Sequence, residues 1–433
     1  MNVESIIKPK GTNLYIKIAL IGLLFVMLII PISWTMSLIN ERQSLQQNVL
    51  NEIGASWGMD QTIVSPIICV PYTTVDIVDD KKQTHLHELY ITPEKVNVKS
   101  DLKSEIRKKG IFNSIVYQSE LQIDGDFKID EQNIPNLEWE KATVITGISD
   151  PTRINKSVEM VWNGTPIESN PSTMYTGFVQ NGIHQNVSIE PNKVYPFKMK
   201  INLNGSNSMS FTPTGKENTV QVVCNWHSPS FYGTNLPNKK EISNKGFSAT
   251  WNTSEFNRIF PQSWSDNKFS LSNKSNENFG VKLIETADHY QQNSRAVKYS
   301  FLIIGLTFLV YFLFEILFKM NVHILQYLLI GASLALFYIL LLSFSEQVGF
   351  KNAYIISFLA TISLILFYSK NIFQKWKPVG ILAVLMTILY SYIYVLLLLE
   401  DYSLLVGSIG LFFILFTIMY ITRNTNWFEV AKR

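Results

Sequence analysis

The chain has 433 residues and a net charge of +3, with 47% apolar and only 16% charged residues. Soluble globular proteins carry about 25% charged residues, so a large part of this chain is expected to lie in lipid. The small net charge and the lack of a basic stripe in the polar part argue against a nucleic-acid partner.

The first apolar segment, residues 18–39, follows several lysines. A cleavable signal peptide would have an apolar core of about 7–15 residues that ends at a small-residue cleavage site. This segment is longer and continues as Ser-Trp-Thr-Met-Ser, which is no such site. It therefore predicts an uncleaved transmembrane anchor, and residues 38–53 are expected to continue that helix beyond the membrane.

Residues 40–298 have the composition of a water-exposed domain, and several stretches alternate apolar and polar residues as half-buried strands do. Turns are predicted at Asp124-Gly125 and Asn204-Gly205. The region is thus predicted to be mainly antiparallel β, as a sandwich or two packed sheets. The apolar residues of one such stretch are Phe197, Met199, Ile201 and Leu203.

Signatures of chemistry are missing from this region. No Cys/His cluster, HExxH, GxSxG or P-loop occurs, so we predict no metal centre, no cofactor and no enzymatic activity. His85 and His87 share one face of a predicted strand, where a solvated face is favoured over a metal site. Cys69 and Cys224 have two alternatives, a disulfide or free thiols, and isolated cysteines are more often free.

The rest of the chain contains five further apolar segments, each close to the ~20 residues that cross a bilayer as a helix. The predicted fold is therefore an α-helical membrane bundle of six spans plus a large, mainly antiparallel β domain. The predicted domains are 1–39 (N-terminus and first span), 40–298 (β domain) and 299–433 (five-helix domain). The five segments are 299–318, 324–343, 353–369, 378–399 and 403–421.

Lysine and arginine are enriched in short cytoplasmic loops, so their distribution predicts the orientation. If the N-terminus is cytoplasmic, ten such residues lie on the cytoplasmic side, and only Lys351 lies in a short loop on the other side. Both termini are therefore predicted in the cytoplasm, with residues 40–298 outside it. The ten residues are Lys8, Lys10, Lys17, Lys319, Lys370, Lys375, Lys377, Arg423, Lys432 and Arg433.

Ionisable residues inside a membrane are candidate functional groups, because they are costly when they face lipid. Glu315 lies near the cytoplasmic end of the second span, with His323 and Gln326 after a short turn. A Glu315–His323 pair would tie two spans together or serve a proton path. The favoured alternative is a carboxylate that reaches the interface and only orients the hairpin. Glu346, at the outer end of the third span, is expected to face water.

The segment Asn225-Trp226-His227-Ser228-Pro229-Ser230-Phe231 is a candidate recognition loop in the β domain. In one interpretation Trp226, Pro229 and Phe231 form an aromatic contact surface. In the other, which is favoured, Trp226 ends a core strand and Pro229 makes the turn.

This segment also begins a series of collinear motifs, at 225–231, 236–237, 242–251, 288–299, 312–315, 323–334, 342–350 and 422–427. Together they resemble the CreD family of bacterial inner-membrane proteins over nearly the whole chain, although residues 75–115 match poorly. The resemblance implies a periplasmic position for the β domain and a role in envelope integrity and in tolerance of colicins and β-lactams. It carries over no catalytic residue.

Two functions follow as hypotheses. The first is a non-enzymatic inner-membrane protein that supports envelope integrity, whose β domain binds an envelope protein or a glycan. The second is a transporter or lipid-handling protein whose helix bundle acts around Glu315. In both, the lipid bilayer is the expected surrounding.

Overall fold

A computed structural model describes residues 14–78, 81–172, 179, 181–258, 260–265, 278–285, 289–318, 320–399 and 402–423. The chain divides into two compact units. The helical unit comprises residues 1–45 and 287–433, and the β unit comprises residues 46–286. The residues that lie outside the described ranges include Lys8, Lys10, Lys319, Lys432 and Arg433 of the orientation count and residues 424–427 of the last family motif.

The helical unit is built from long helices. They are α1 (Leu14–Met27), α2 (Ile29–Trp57), α3 (His289–Lys298), α4 (Ser300–Leu317), α5 (Ile324–Val348), α6 (Phe350–Phe373), α7 (Trp376–Leu398) and α8 (Ser403–Thr422). Residues 46–57 of α2 belong to the β unit. Within the described residues, six segments are long and apolar enough to cross a membrane, and residues 14–57 form the first. The predicted helical bundle with six spans is confirmed.

Two helices are longer than their apolar segments predicted. Helix α5 continues to Val348, five residues past its predicted end, and α6 covers Phe350–Phe373 instead of 353–369. Hydropathy marks only the apolar length, whereas backbone hydrogen bonding continues through the polar residues that flank it. Helix α2 likewise runs on to Trp57, which confirms the helical extension predicted for residues 38–53.

Close approach of helices is visible at Gly331 in α5. A Cβ atom there would lie 2.3 Å from Leu28 Cδ1 and 2.9 Å from Phe308 Cζ. Small residues at helix contacts permit such packing in membranes. On outward faces, large apolar side chains such as Phe367 and Val384 are 74% and 59% exposed, as expected for surfaces solvated by lipid tails.

The β unit consists of two sheets. In the nine-stranded sheet, β1 lies centrally between parallel β11 and antiparallel β5 and also pairs with β2. In the eight-stranded sheet, the central pairs β3–β4 and β4–β10 are antiparallel, while β3–β12 is parallel. The predicted mainly antiparallel β architecture is confirmed, with two parallel pairings added. The strands are β1 (Gln61–Val78), β2 (Lys81–Ile91), β3 (Lys95–Lys109), β4 (Phe112–Ile129), β5 (Ala142–Ile148), β6 (Glu159–Trp162), β7 (Thr165–Ile167), β8 (Asn170–Pro171), β9 (Gly182–Val187), β10 (Lys193–Ser206), β11 (Ser208–Thr212), β12 (Glu217–Cys224), β13 (Pro229–Gly233), β14 (Lys239–Ser243), β15 (Gly246–Ser254), β16 (Ser263–Ser265) and β17 (Phe279–Leu283).

One apolar core is shared by the two sheets. The alternating residues predicted for β10 face this core, where Ile201 and Leu203 are fully buried. Trp251 of β15, in the other sheet from β17, stacks on Phe279 with the ring centres 5.6 Å apart. Two sheets that bury alternate side chains against each other form a sandwich.

Both predicted turns are wrong in position. Asp124-Gly125 lies inside β4, and a Cβ at Gly125 would lie 2.0 Å from the Lys95 carbonyl oxygen. Glycine is needed there for the close approach of strand β3 and not for a turn. Strand β10 continues through Asn204-Gly205 to Ser206, and the chain passes to the other sheet at Asn207, whose φ is 53°.

The two cysteines are free thiols. Cys224 faces the shared core, whereas Cys69 belongs to a second apolar cluster with Tyr90 and Trp264. Because they lie in different sheets and different clusters, they are not placed to form a disulfide. Burial raises the pKa of both thiols, so neither is expected to react as a thiolate near neutral pH.

Candidate functional site

The Glu315 carboxylate, in the last turn of α4, contacts two other helices. It forms an ion pair with Lys17 of α1, and it accepts a hydrogen bond from the Tyr327 hydroxyl of α5 at 3.5 Å. The Lys17 and Glu315 side chains are only 17% and 14% exposed. Unpaired charges are costly at such positions, so the contact neutralises both charges and links three helices.

His323, the partner of Glu315 in the less favoured interpretation, makes other contacts. Its Nδ1 accepts a hydrogen bond from the Leu325 N–H at 3.2 Å, and Gln326 Oε1 accepts one from the His323 N–H at 2.9 Å. This reciprocal pattern caps the first turn of α5, where the helix leaves N–H groups without intrahelical partners. The Glu315–His323 pair is therefore wrong: Glu315 contacts Lys17 and Tyr327. His323 and Gln326 instead cap the start of their own helix.

Glu346 is also paired, contrary to the expectation that it faces water. Its side chain is 12% exposed, accepts a hydrogen bond from the Tyr290 hydroxyl at 2.8 Å and lies 3.8 Å from Arg42 Nε. The neighbouring Ser345 hydroxyl accepts a bond from the Asn293 amide at 2.8 Å. A polar cluster thus connects α2, α3 and α5.

Helix α3 makes a further polar contact with α7. The Arg295 guanidinium donates to the Leu399 carbonyl oxygen at 2.7 Å and to that of Leu396 at 3.3 Å. A cation at the C-terminus of a helix satisfies free carbonyls and complements the helix dipole. Sequence analysis missed this role because Arg295 lies about 100 residues from its acceptors.

Trp226 and Phe231 both pack against the core of the β unit, each half-buried. The Trp226 indole donates to the Ile284 carbonyl oxygen at 3.0 Å. The Phe231 ring lies edge-on to Trp251, 5.7 Å between ring centres. Pro229 begins β13 and does not make the turn. A role of Trp226 and Phe231 in recognition stays a prediction. The buried part of each side chain contributes to the stability of the β unit.

The two strand histidines contact neighbours on β1. The His87 ring bonds the Thr74 hydroxyl at 2.7 Å, and His85 Nε2 lies 3.8 Å from Asp76. Their own ring centres are 6.5 Å apart. Among the described residues, no group of three or more His, Cys, Asp or Glu side chains is arranged to hold a metal.

An apolar cavity of about 500 Å³ lies between α4, α7 and α8, with Val310, Leu389 and Phe413 among its lining. Helix α8 meets α7 where the Tyr392 hydroxyl donates to the Val406 and Gly407 carbonyl oxygens, at 3.0 and 3.2 Å. This contact holds the first turns of α8 against α7. Since no residue of α8 is buried, the cavity is open beside the rest of that helix.

A second hollow, of about 560 Å³, lies in the β unit. We call it the hydroxyl-lined hollow; it is bounded by Asp60, Thr62, Ser210, Tyr232 and Asn278, with Ser208, Gly233 and Thr234. The Thr62 and Ser210 hydroxyl oxygens are 2.9 Å apart. Sequence analysis missed these residues because they come from four separate segments and form no motif.

The ion pair of Lys17 and Glu315 is expected to stabilise the helical unit. Glu315→Gln should lower the free energy of unfolding by about 1–3 kcal/mol, because it leaves a buried ammonium without its counter-charge. The double variant Lys17→Gln/Glu315→Gln should recover part of the loss, with a coupling of about 1–2 kcal/mol. Thermal unfolding in detergent of Glu315→Gln, Lys17→Gln and the double variant measures the coupling, with the exposed Lys351→Gln as control. Additive single effects would contradict the pairing.

Packing of Phe231 and Trp226 predicts a stability cost for their removal. Phe231→Ala and Trp226→Ala should each destabilise the protein by about 2 kcal/mol, less than the 3–5 kcal/mol typical of fully buried aromatics. Phe256→Ala is the matched control, since that ring is 90% exposed. Thermal unfolding of the full-length protein compares the three, and equal stability of Phe231→Ala and Phe256→Ala would contradict the packing role.

Comparison with known proteins agrees with this architecture. The family described as inner membrane protein CreD matches residues 13–428. Inner membrane protein CreD of Escherichia coli (strain K12) is 31% identical over 422 residues, which covers 94% of this chain and 92% of that protein. An M1 zinc metallopeptidase from Deinococcus radiodurans is similar at a TM-score of only 0.20 and 7% identity, over 37% of this chain and 38% of the peptidase, too weak a likeness to support any conclusion. The chain belongs to the CreD family of inner membrane proteins.

Proposed function

We propose that this protein supports the integrity of the cell envelope and its tolerance of stress, without enzymatic activity, by binding an envelope partner through its β domain. The observation that carries the proposal is the pairing of a membrane bundle with a β unit of some 240 residues that has its own core. A sandwich this large exceeds what anchoring requires, and the outer face of its eight-stranded sheet is exposed and available for recognition.

The proposal places the termini in the cytoplasm and residues 40–298 in the periplasm. Basic residues support this orientation, because they recur at helix ends that alternate along the chain. Lys17 begins α1, Lys370 lies near the end of α6, Lys375 and Lys377 flank the start of α7, and Arg423 follows α8. At the opposite helix ends, the short connection from α5 to α6 is flanked by Glu346 and Lys351. Arg42, Arg295 and Lys298 belong to the long loop of residues 40–298, which the positive-inside rule does not count.

A specific observation favours a second candidate, lipid handling by the helical unit. The cavity between α4, α7 and α8 is lined almost wholly by apolar side chains, which suits an acyl chain and not a polar solute. Glu315 itself does not line it; its neighbours Leu313, Phe314 and Leu317 do. In this alternative the charged cluster holds α1 and α4 in place beside the cavity.

The orientation is testable by cysteine labelling in spheroplasts with a membrane-impermeant maleimide. Phe256→Cys should react in intact spheroplasts, because the site is 90% exposed in the β unit. Lys375→Cys should react only after permeabilisation. The native thiols are buried and give little background. The reverse pattern would place the β unit in the cytoplasm and would end the proposal.

The role of the β domain is testable by complementation of a strain that lacks the chromosomal gene, under β-lactam and detergent stress. The full-length double variant Lys17→Gln/Glu315→Gln should restore survival to at least half of the wild-type level, because it leaves the β unit unchanged. A fragment of residues 1–298 should also restore part of it. Failure of both at normal abundance, with rescue by the wild type, would favour lipid handling by the helices.

A further inference from the structure

We propose that the hydroxyl-lined hollow of the β unit binds a neutral glycan. This inference rests on the proposed function, because it names the chemical class of the envelope partner. The residues of the hollow form no sequence motif. The evidence for the inference is the register of four neighbouring strands, which brings their side chains together.

The register of the sheet sets four residues in one row. Thr62 of β1 pairs with Ser210 of β11, Ser210 pairs with Gly280 of β17, and Gly280 pairs with Tyr232 of β13. Directly paired residues point to the same face of a sheet. The row therefore reads hydroxyl, hydroxyl, no side chain, aromatic ring, across three strand spacings of about 5 Å each.

The face that carries this row points away from the shared core. Met209 and Phe211, which flank Ser210 along β11, belong to the core between the sheets. Because neighbouring side chains alternate across a strand, Ser210 points to the other face. Gly280 adds no side chain to the row, and the hollow lies beside Ser210 and the Tyr232 ring.

The polar groups around this hollow match sugar hydroxyls, each of which both donates and accepts a hydrogen bond. The Asp60 carboxylate accepts, and the Thr62 hydroxyl, which shares a hydrogen bond with the buried Ser210 hydroxyl at 2.9 Å, can do either. The Asn278 amide oxygen accepts a bond from the Thr212 hydroxyl at 2.5 Å, which fixes the amide beside the hollow and leaves its NH₂ group as a donor. Tyr232, 37% exposed, offers a ring face for the apolar side of a sugar.

The charge of the hollow selects against anions. Among the described residues that line it, Asp60 is the one that carries a formal charge, so phosphate- or carboxylate-rich ligands would be repelled. A divalent cation is not supported either, since one carboxylate falls short of the oxygen ligands that calcium or magnesium requires. A volume of about 560 Å³ is within the 300–1,000 Å³ typical of ligand sites. A short stretch of neutral sugar chain fits these properties.

Saccharide titration of the purified full-length protein tests the proposal, with chitotriose and maltotriose as probes. The detergent must lack sugar head groups, so lauryldimethylamine oxide is suitable. Binding followed by ligand-observed NMR should be saturable for at least one probe. Tyr232→Ala and Asp60→Asn should each weaken it about tenfold, as the loss of one charged or stacking contact predicts. Both residues are at the surface, so the variants should fold.

The matched controls are Phe256→Ala and Asp101→Asn, which remove an exposed ring and an exposed carboxylate elsewhere on the β unit. They should leave the affinity within about twofold of the wild type. Lack of saturable binding of either probe by the wild type would overturn the inference. Equal affinity of all four variants would overturn it too, because the binding would then lie elsewhere.

Stress survival separates this inference from the proposed function. A wild-type chain that restores tolerance but binds neither saccharide would overturn the glycan site and leave the envelope role intact, with a peptide as the partner class to test next at the open edge strand β13. A chain that binds a saccharide through Tyr232 and Asp60 but restores no tolerance would support the site and contradict the envelope role.

Discussion

A peptide N–H or C=O group without a partner costs several kcal/mol in hydrocarbon, and the organisation of the helical unit follows from this cost. The described segments that cross lipid are helices, whose backbone groups pair internally except in the terminal turns. The connections between α4 and α8 are a few residues long. The same cost applies to charges. Glu315 and Glu346 are therefore found within one or two turns of helix ends, each with a partner from another helix.

The partners of these two carboxylates explain how separate parts of the chain are held in the helical unit. Glu315 joins α1 to α4 and α5, so the N-terminal helix is bound to helices nearly 300 residues later. Glu346 contacts Arg42 of α2 and Tyr290 of α3. Helix α2 precedes the β unit in the chain, and α3 follows it. One carboxylate thus contacts both connecting segments, and with the α3–α7 contact of Arg295 it secures them to the bundle.

Features that depend on local periodicity were predictable from the sequence, and features that depend on distant pairing were not. Apolar length alone identified the six spans found among the described residues, and the alternation in β10 identified a core strand. In contrast, Lys17 resembled an ordinary cytoplasmic flank, because its partner lies 298 residues away. His323 and Gln326, three residues apart at a helix start, do carry a readable capping signal, whereas neither interpretation of Glu315 included Lys17. Gly125 resembled a turn because sequence does not show which strand approaches it.

The hydroxyl-lined hollow depends on the pairing of distant strands, so the sequence did not predict it. Its composition is nevertheless constrained by the local alternation of apolar and polar residues. A shift of one residue in β11 would turn Met209 and Phe211 outward and bury Ser210 in the core. The apolar alternation that stabilises the sandwich therefore also determines which hydroxyls point away from the shared core. Strands β11 and β17 are five residues each, and their core-facing residues are fixed by packing. Variation in function is then confined to positions that point away from the shared core, such as Ser210 and the exposed Tyr232.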